Sequence, residues 1–197
     1  MVWASLAVES SELSGHGIAR RSGRRVKLPY DSRMSDLPPL AILAARVGAT
    51  LKARGETVAV TESSAGGLVS AALLAIPGAS AFFLGGAVVY TRRAGRALLG
   101  LTPADVAGLR GETEPYAALV ANRVRQQLRA TWGLAESGAA GPSASPYGDA
   151  PGHVCLAVAG AATSTRTVAT GEAERALNMD LFARHLLALF DAVLNPP

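Results

Sequence analysis

From Leu40 onward, short β-rich runs alternate with helical segments, and this alternation constrains the fold more than any other feature of the chain. Apolar residues recur at helical spacing over Leu40 to Arg54, with Gly55 as the stop. A β-rich run follows at Thr57 to Val60, then a Ser/Gly break at 63–67, then a helical pattern from Leu68 to Ile76 ended by Pro77-Gly78. Ala87 to Tyr90 predicts a second strand, and Arg92 to Leu99 a short helix stopped by Gly100. Thr102-Pro103-Ala104-Asp105 carries helix-start chemistry. Thr113 to Trp132 predicts a long amphipathic helix; Leu134 to Ser137, Val154 to Ala159 and Thr165 to Ala169 predict three strands; a last helix runs from Glu174 to Leu194. Such alternation predicts a single α/β domain of three layers, α/β/α, with helices on both faces of a central sheet. The hairpin-like spacing of the last strands predicts a mixed sheet.

Composition narrows the class. With 197 residues, 49% of them apolar and 17% charged, the chain is long enough to bury a core and lies outside the disordered class. Cys155 is the only cysteine, so no disulfide scaffold forms within the chain. Its apolar stretches break at Gly, Pro, Arg or Asp before reaching the ~18 residues of a membrane span. The expectation is a soluble, cytoplasmic domain with no membrane partner.

The net charge of +4 invites a nucleic-acid reading, but its location argues against one. Residues 1–33 carry Arg20, Arg21, Arg24, Arg25, Lys27 and Arg33 against Glu9, Glu12 and Asp31, so the remainder is almost neutral. Residues 1–36 read as a disordered basic tail, or as translated sequence ahead of a true start at Met34, and residues 37–197 as the folded domain. The alternative for the basic run at 20–27 is an arm that touches an anionic surface.

The break at Thr61-Glu62-Ser63-Ser64-Ala65-Gly66-Gly67 is a strand-to-helix turn. Backbone N–H groups there have no intrahelical partner and can face an anion or an oxyanion, glycines admit a ligand, and Ser63 or Ser64 is a nucleophile if a base lies within reach. The bland reading is a serine cap with glycines for close packing. Glu62 either orients a hydroxyl or caps the turn. Cys155 reads as a buried small hydrophobe, and His185 as an ordinary surface or boundary residue. Phosphate loops, HExxH and CxxC are absent, and the scattered His16, His153 and His185 make no zinc site. No metal or cofactor is expected.

Three further segments extend the pattern: Pro77-Gly78-Ala79-Ser80 through Phe83, Gly85-Gly86, Val88 and Tyr90 to Leu98-Leu99-Gly100; Ser137-Gly138-Ala139-Ala140-Gly141-Pro142; and Pro151-Gly152-His153-Val154. Together with Glu62-Ser63 and Gly66-Gly67 they occur in the order and at the spacing of the C-terminal domain of the CinA (competence/damage-inducible) family, which this chain resembles from about Leu40 to Leu194. The family includes nicotinamide-mononucleotide deamidases of pyridine nucleotide salvage. The resemblance implies a metal-independent amide hydrolase acting on nicotinamide mononucleotide or a related small nucleotide, and it implies self-association. Ser63 would attack the carboxamide carbon, and the N–H groups around Ala65, Gly66 and Gly67 would steady the oxyanion. Tyr90 and Ser137 would be hydrogen-bonding catalytic groups, with Ser64 beside the nucleophile. The turns at Gly66-Gly67 and Gly138, Ala140 and Gly141 would receive phosphate and ribose.

The chain also departs from that pattern. The family's lysine, the base for the serine, falls on Gly95, its asparagine on Arg92, and two arginines opening the last helix on Ala173 and on Leu177 or Asn178. Cys and Thr of the first block are Ser64 and Ala65. His153 is then the only candidate base on a matched strand, although a lone strand histidine is more often an ordinary structural or exposed residue. The alternative function is a catalytically impaired relative that binds a nucleotide, with Arg92, Arg93 and Arg96 either on a solvated helix face or in contact with phosphate, or a protein-interaction module.

Overall fold

The computed structural model describes residues 37–161 and 163–196; the basic run at 20–27 and the tail boundary lie outside the described residues. Five strands form one sheet: β1 (Val58–Glu62), β2 (Phe83–Val88), β3 (Trp132–Gly138), β4 (His153–Ala159) and β5 (Thr163–Ala169). Their order is β2-β1-β3-β4-β5. Strand β1 runs parallel to both β2 and β3, whereas β3, β4 and β5 are antiparallel, so the sheet is mixed as the sequence predicts.

The helices are α1 (Leu40–Arg54), α2 (Leu68–Leu74), α3 (Arg92–Leu99), α4 (Glu114–Gln127) and α5 (Arg175–Leu194). Alternation along β4 separates two cores. Val154, Leu156 and Val158 pack with α1, α2 and α5, where Phe82, Phe182 and Phe190 are fully buried. Cys155, Ala157 and Ala159 face α4 on the other side. Cys155 is thus buried in the apolar layer. No helix among the described residues is long and apolar enough to cross a membrane.

The face toward α4 is built from small residues because the helix lies very close to the sheet. A Cβ on Gly133 would stand 2.1 Å from the Ala121 carbonyl oxygen and 2.7 Å from Arg125 Cβ. Gly133→Ala is therefore expected to destabilise the domain by about 1–3 kcal/mol through overpacking. Urea unfolding checks this, and an unchanged midpoint would show that α4 can retreat without loss.

Three boundaries differ from the sequence reading, each for a local reason. Strand β2 begins at Phe83, ahead of the expected Ala87, and takes Gly85 and Gly86 into its ladder opposite Ala59 and Val60. Those glycines serve close packing: a Cβ on Gly86 would meet Ser70 Oγ of α2 at 2.2 Å. Helix α4 stops at Gln127, short of Trp132, because Arg129 adopts a left-handed backbone (φ 51°) and Trp132 opens β3. Thr102 to Asp105 starts no helix. Thr102 N and Oγ1 both donate to Asp105 Oδ2 at 2.8 Å, closing a local turn that Gly108 (φ 72°) redirects.

Candidate functional site

The turn after β1 is held by two carboxylates, one on each side. Glu62 Oε2 accepts the N–H groups of Gly67 (2.9 Å) and Val69 (3.0 Å), and Oε1 accepts the Ser70 N–H (2.9 Å) and hydroxyl (2.6 Å). Glu62 therefore caps the first turn of α2 and does not orient the Ser63 hydroxyl. Glu136, from the neighbouring β3, takes the other side. Its Oε1 accepts the Ser63 N–H (2.5 Å) and the Ala65 N–H (2.7 Å), and its Oε2 accepts the Ser64 hydroxyl (2.8 Å). Burial pushes the Glu136 carboxyl up to about 7, against the opposing pull of these three donors.

This arrangement alters the expected chemistry of the turn. The N–H groups of Ala65 and Gly67 are spent on Glu136 and Glu62, so neither is offered to an oxyanion. Gly66 (φ 69°) and Gly67 (φ 102°) supply the left-handed backbone of the turn, and a Cβ on Gly66 would come within 2.9 Å of Met179 Cε on α5.

A cleft of about 1000 Å³ opens beside the turn, at the ends of β1 and β3. Ser63, Ser64, Tyr90, Ser137, Gly138, Ala140 and Gly141 all line it; Ala65, Gly66 and Gly67 do not. Gly95 lines it too, facing Leu101 and Val89 from within α3. Ser137 Oγ accepts the Glu112 N–H at 3.2 Å, and Tyr90 is 60% exposed with its hydroxyl accepting from Arg175 Nη2 at 3.3 Å.

No side chain that takes up protons near neutrality is joined to the Ser63 hydroxyl. His153 does not line the cleft: its Nε2 sits 3.0 Å from the Glu112 carbonyl oxygen and 3.8 Å from Asp149 Oδ1. Lys52, the one lysine among the described residues, donates to the Pro77 carbonyl away from the site. His153, the candidate base on a matched strand, is thus held at the Glu112 carbonyl, in line with its ordinary structural reading.

Several cleft residues were not legible as such. Arg175 opens α5, donates to the Gly141 carbonyl (2.9 Å) and lies over the Tyr90 ring, which places a guanidinium at the cleft although neither Ala173 nor Leu177 provides one. Arg92 and Arg96 of α3 line the cleft and Arg93 does not; Arg92 Nη2 donates to Tyr147 Oη at 3.1 Å. Asn178 is instead fully buried, donating to the carbonyls of Ala140 and Glu172 and so bracing the 138–141 turn from behind. Behind the lining, Arg110 grips Asp149 with two bonds (2.6 and 2.9 Å) and holds it down at about 2. Glu112 lines the cleft beside them, in a left-handed backbone conformation (φ 59°) with Oε2 buried and without a hydrogen-bond partner. Burial raises its carboxyl above the ordinary range, and Asp149 adds to the shift.

The signal for Glu136 was present: one carboxylate inside the apolar run Trp132 to Gly138. His185 was misread. It is 1% exposed inside α5, and burial, helped by Arg166, pulls its imidazole down to about 4.

Comparison with known proteins places this geometry. The model of the CinA C-terminal domain matches residues 40–194. The chain belongs to the CinA family. It is 44% identical over 166 residues to a CinA-like protein of Prochlorococcus marinus, covering 80% of this chain and 38% of that one. A CinA-like protein of a Synechococcus strain is 41% identical over 118 residues, covering 60% and 28%. The chain thus spans well under half the length of these curated relatives. Among solved structures, a CinA superfamily protein of Klebsiella pneumoniae superposes with a TM-score of 0.75 at 25% identity, covering 80% of this chain and 98% of that chain. The competence/damage-inducible protein CihA of Agrobacterium tumefaciens gives 0.74 at 28% identity, covering 82% and 100%. The mixed α/β fold is that of the CinA superfamily structures.

Proposed function

We propose that this CinA-family domain binds a small nucleotide carrying phosphate and an aromatic base, nicotinamide mononucleotide being the first candidate, and that it does not hydrolyse the carboxamide through Ser63. The observation that carries the reading is a cleft lined by Arg92, Arg96 and Arg175 in which Ser63 has no base. Guanidinium groups suit phosphate, and Tyr90, Tyr116 and Tyr147 in the lining supply the aromatic surface that suits a base. Gly95 leaves the wall of α3 without a proton acceptor where the resemblance expects a lysine.

Titration calorimetry with nicotinamide mononucleotide is expected to show binding, and Arg175→Ala to weaken it by about tenfold, the size of one charge-assisted contact. Ammonia release from the same compound is expected to be equal in the wild-type chain and in Ser63→Ala. A drop in the variant would restore Ser63 to the role of nucleophile; absence of binding would remove the nucleotide from the reading.

A further inference from the structure

We propose that the cleft is built for a dinucleotide, two nucleosides joined through a diphosphate, and that it binds such a ligand more tightly than either half. The proposal rests on the reading of this cleft as a nucleotide site and names the ligand class. Its starting point is what the lining arginines lack. Arg46, Arg110, Arg123 and Arg184 each pair with a carboxylate, whereas Arg92, Arg96 and Arg175 pair with none among the described residues. Arg92 Nη2 donates to the Tyr147 hydroxyl at 3.1 Å, and Arg175 donates to the Gly141 carbonyl and the Tyr90 hydroxyl, all of them neutral acceptors. Glu112 is the one acidic residue in the lining. Three guanidinium groups without a countercharge suit a ligand that carries more than one phosphate.

The three arginines are neighbours in the fold. Arg175 holds the Tyr90 hydroxyl, and Tyr90 precedes Arg92 by two residues, at most about 7 Å of chain. Arg96 follows Arg92 by one turn of α3, so both stand on the same side of that helix. Like charges at this spacing repel, and a single phosphate at the Arg175 end leaves the pair on α3 uncompensated. A diphosphate answers both, with one phosphate toward Arg175 and the other at Arg92 and Arg96.

Size and surface agree. The cleft holds about 1000 Å³, at the upper end of the range for small-ligand sites. Next to Arg96 the lining turns apolar: a Cβ on Gly95 would stand 3.2 Å from Leu101 Cδ1, and Leu101 packs in one cluster with Val106 and Tyr116, which also line the cleft. That surface suits a second base, leaving the Tyr90 and Gly141 end to the first nucleoside.

Nicotinamide adenine dinucleotide is the probe, because its halves, nicotinamide mononucleotide and AMP, can be titrated alone. Calorimetry on the full chain is expected to give one site per chain and an affinity about tenfold or more above that of either half, the size of one further charge-assisted contact. ADP, with the diphosphate but a single base, is expected to fall between. Arg96 is exposed on α3, and Arg96→Ala is expected to shrink the advantage of the dinucleotide over nicotinamide mononucleotide to about threefold or less. A dinucleotide no tighter than its halves, ADP as tight as the dinucleotide, or an advantage unchanged in Arg96→Ala would overturn the proposal. Binding of nicotinamide mononucleotide alongside any of these results would leave the mononucleotide reading standing, and failure of every compound to bind would remove both.

Discussion

Glu136→Gln is expected to remove a fall in stability, on the order of 3 kcal/mol, that the wild-type domain undergoes between about pH 4.5 and pH 7. The sign follows from the buried carboxyl. In the unfolded chain Glu136 loses its proton near its ordinary value of 4.5, whereas in the folded chain burial delays the loss to about 7. Across that window the native state holds one more proton than the unfolded state, so unfolding becomes easier as pH rises. A stabilising contribution present in full below pH 4.5 is lost by the time pH passes 7. About 2.5 units at 1.4 kcal/mol per unit sets the size. Glutamine has no such titration, although it still contacts the turn. The difference between wild type and variant in urea unfolding, taken from pH 4 to 8, should slope downward and then level off. A difference that is flat in pH would show that Glu136 is ionised throughout.

His185→Leu is expected to expose the opposite slope. The imidazole at 1% exposure is held neutral, its titration pulled down to about 4 from 6.5. Between those values the unfolded chain binds a proton that the folded chain refuses, so this residue makes the wild-type domain more stable as pH rises from 4 to 6.5. The shift again corresponds to a change on the order of 3 kcal/mol. Glu136 and His185 therefore oppose each other over much of the same range, and the wild-type profile should be flatter than either variant's. Leucine fills a similar apolar volume without titrating, so the variant should lose the rise and keep the fall to which Glu136 contributes most. A wild-type profile as steep as the His185→Leu profile would contradict this.

The two groups illustrate which residues were readable in the chain. His185 sits among Leu186, Leu187 and Leu189 in a helix apolar on nearly all sides, and only the packing of α5 under the sheet decides that its position faces inward. Glu136 interrupts an apolar strand, which marks it as unusual, but its partners lie more than 70 residues away at the 63–65 turn. Arg175 is equally silent in sequence: an arginine at a helix start is commonplace until Gly141 and Tyr90 are placed beside it.

By itself the sequence determined the layered α/β fold, the mixed sheet, the strand-to-helix turn and the four segments that resemble the CinA family, because periodicity and turn chemistry act over a few neighbouring residues. Tertiary structure alone decided what the turn can do. The N–H groups of Ala65 and Gly67, which look available in the chain, are taken by Glu136 and Glu62, and the Ser64 hydroxyl donates to Glu136 as well. Hydrogen bonds of that kind depend on strand order: parallel pairing of β1 with β3 brings residue 136 alongside the end of β1, and no local pattern records it.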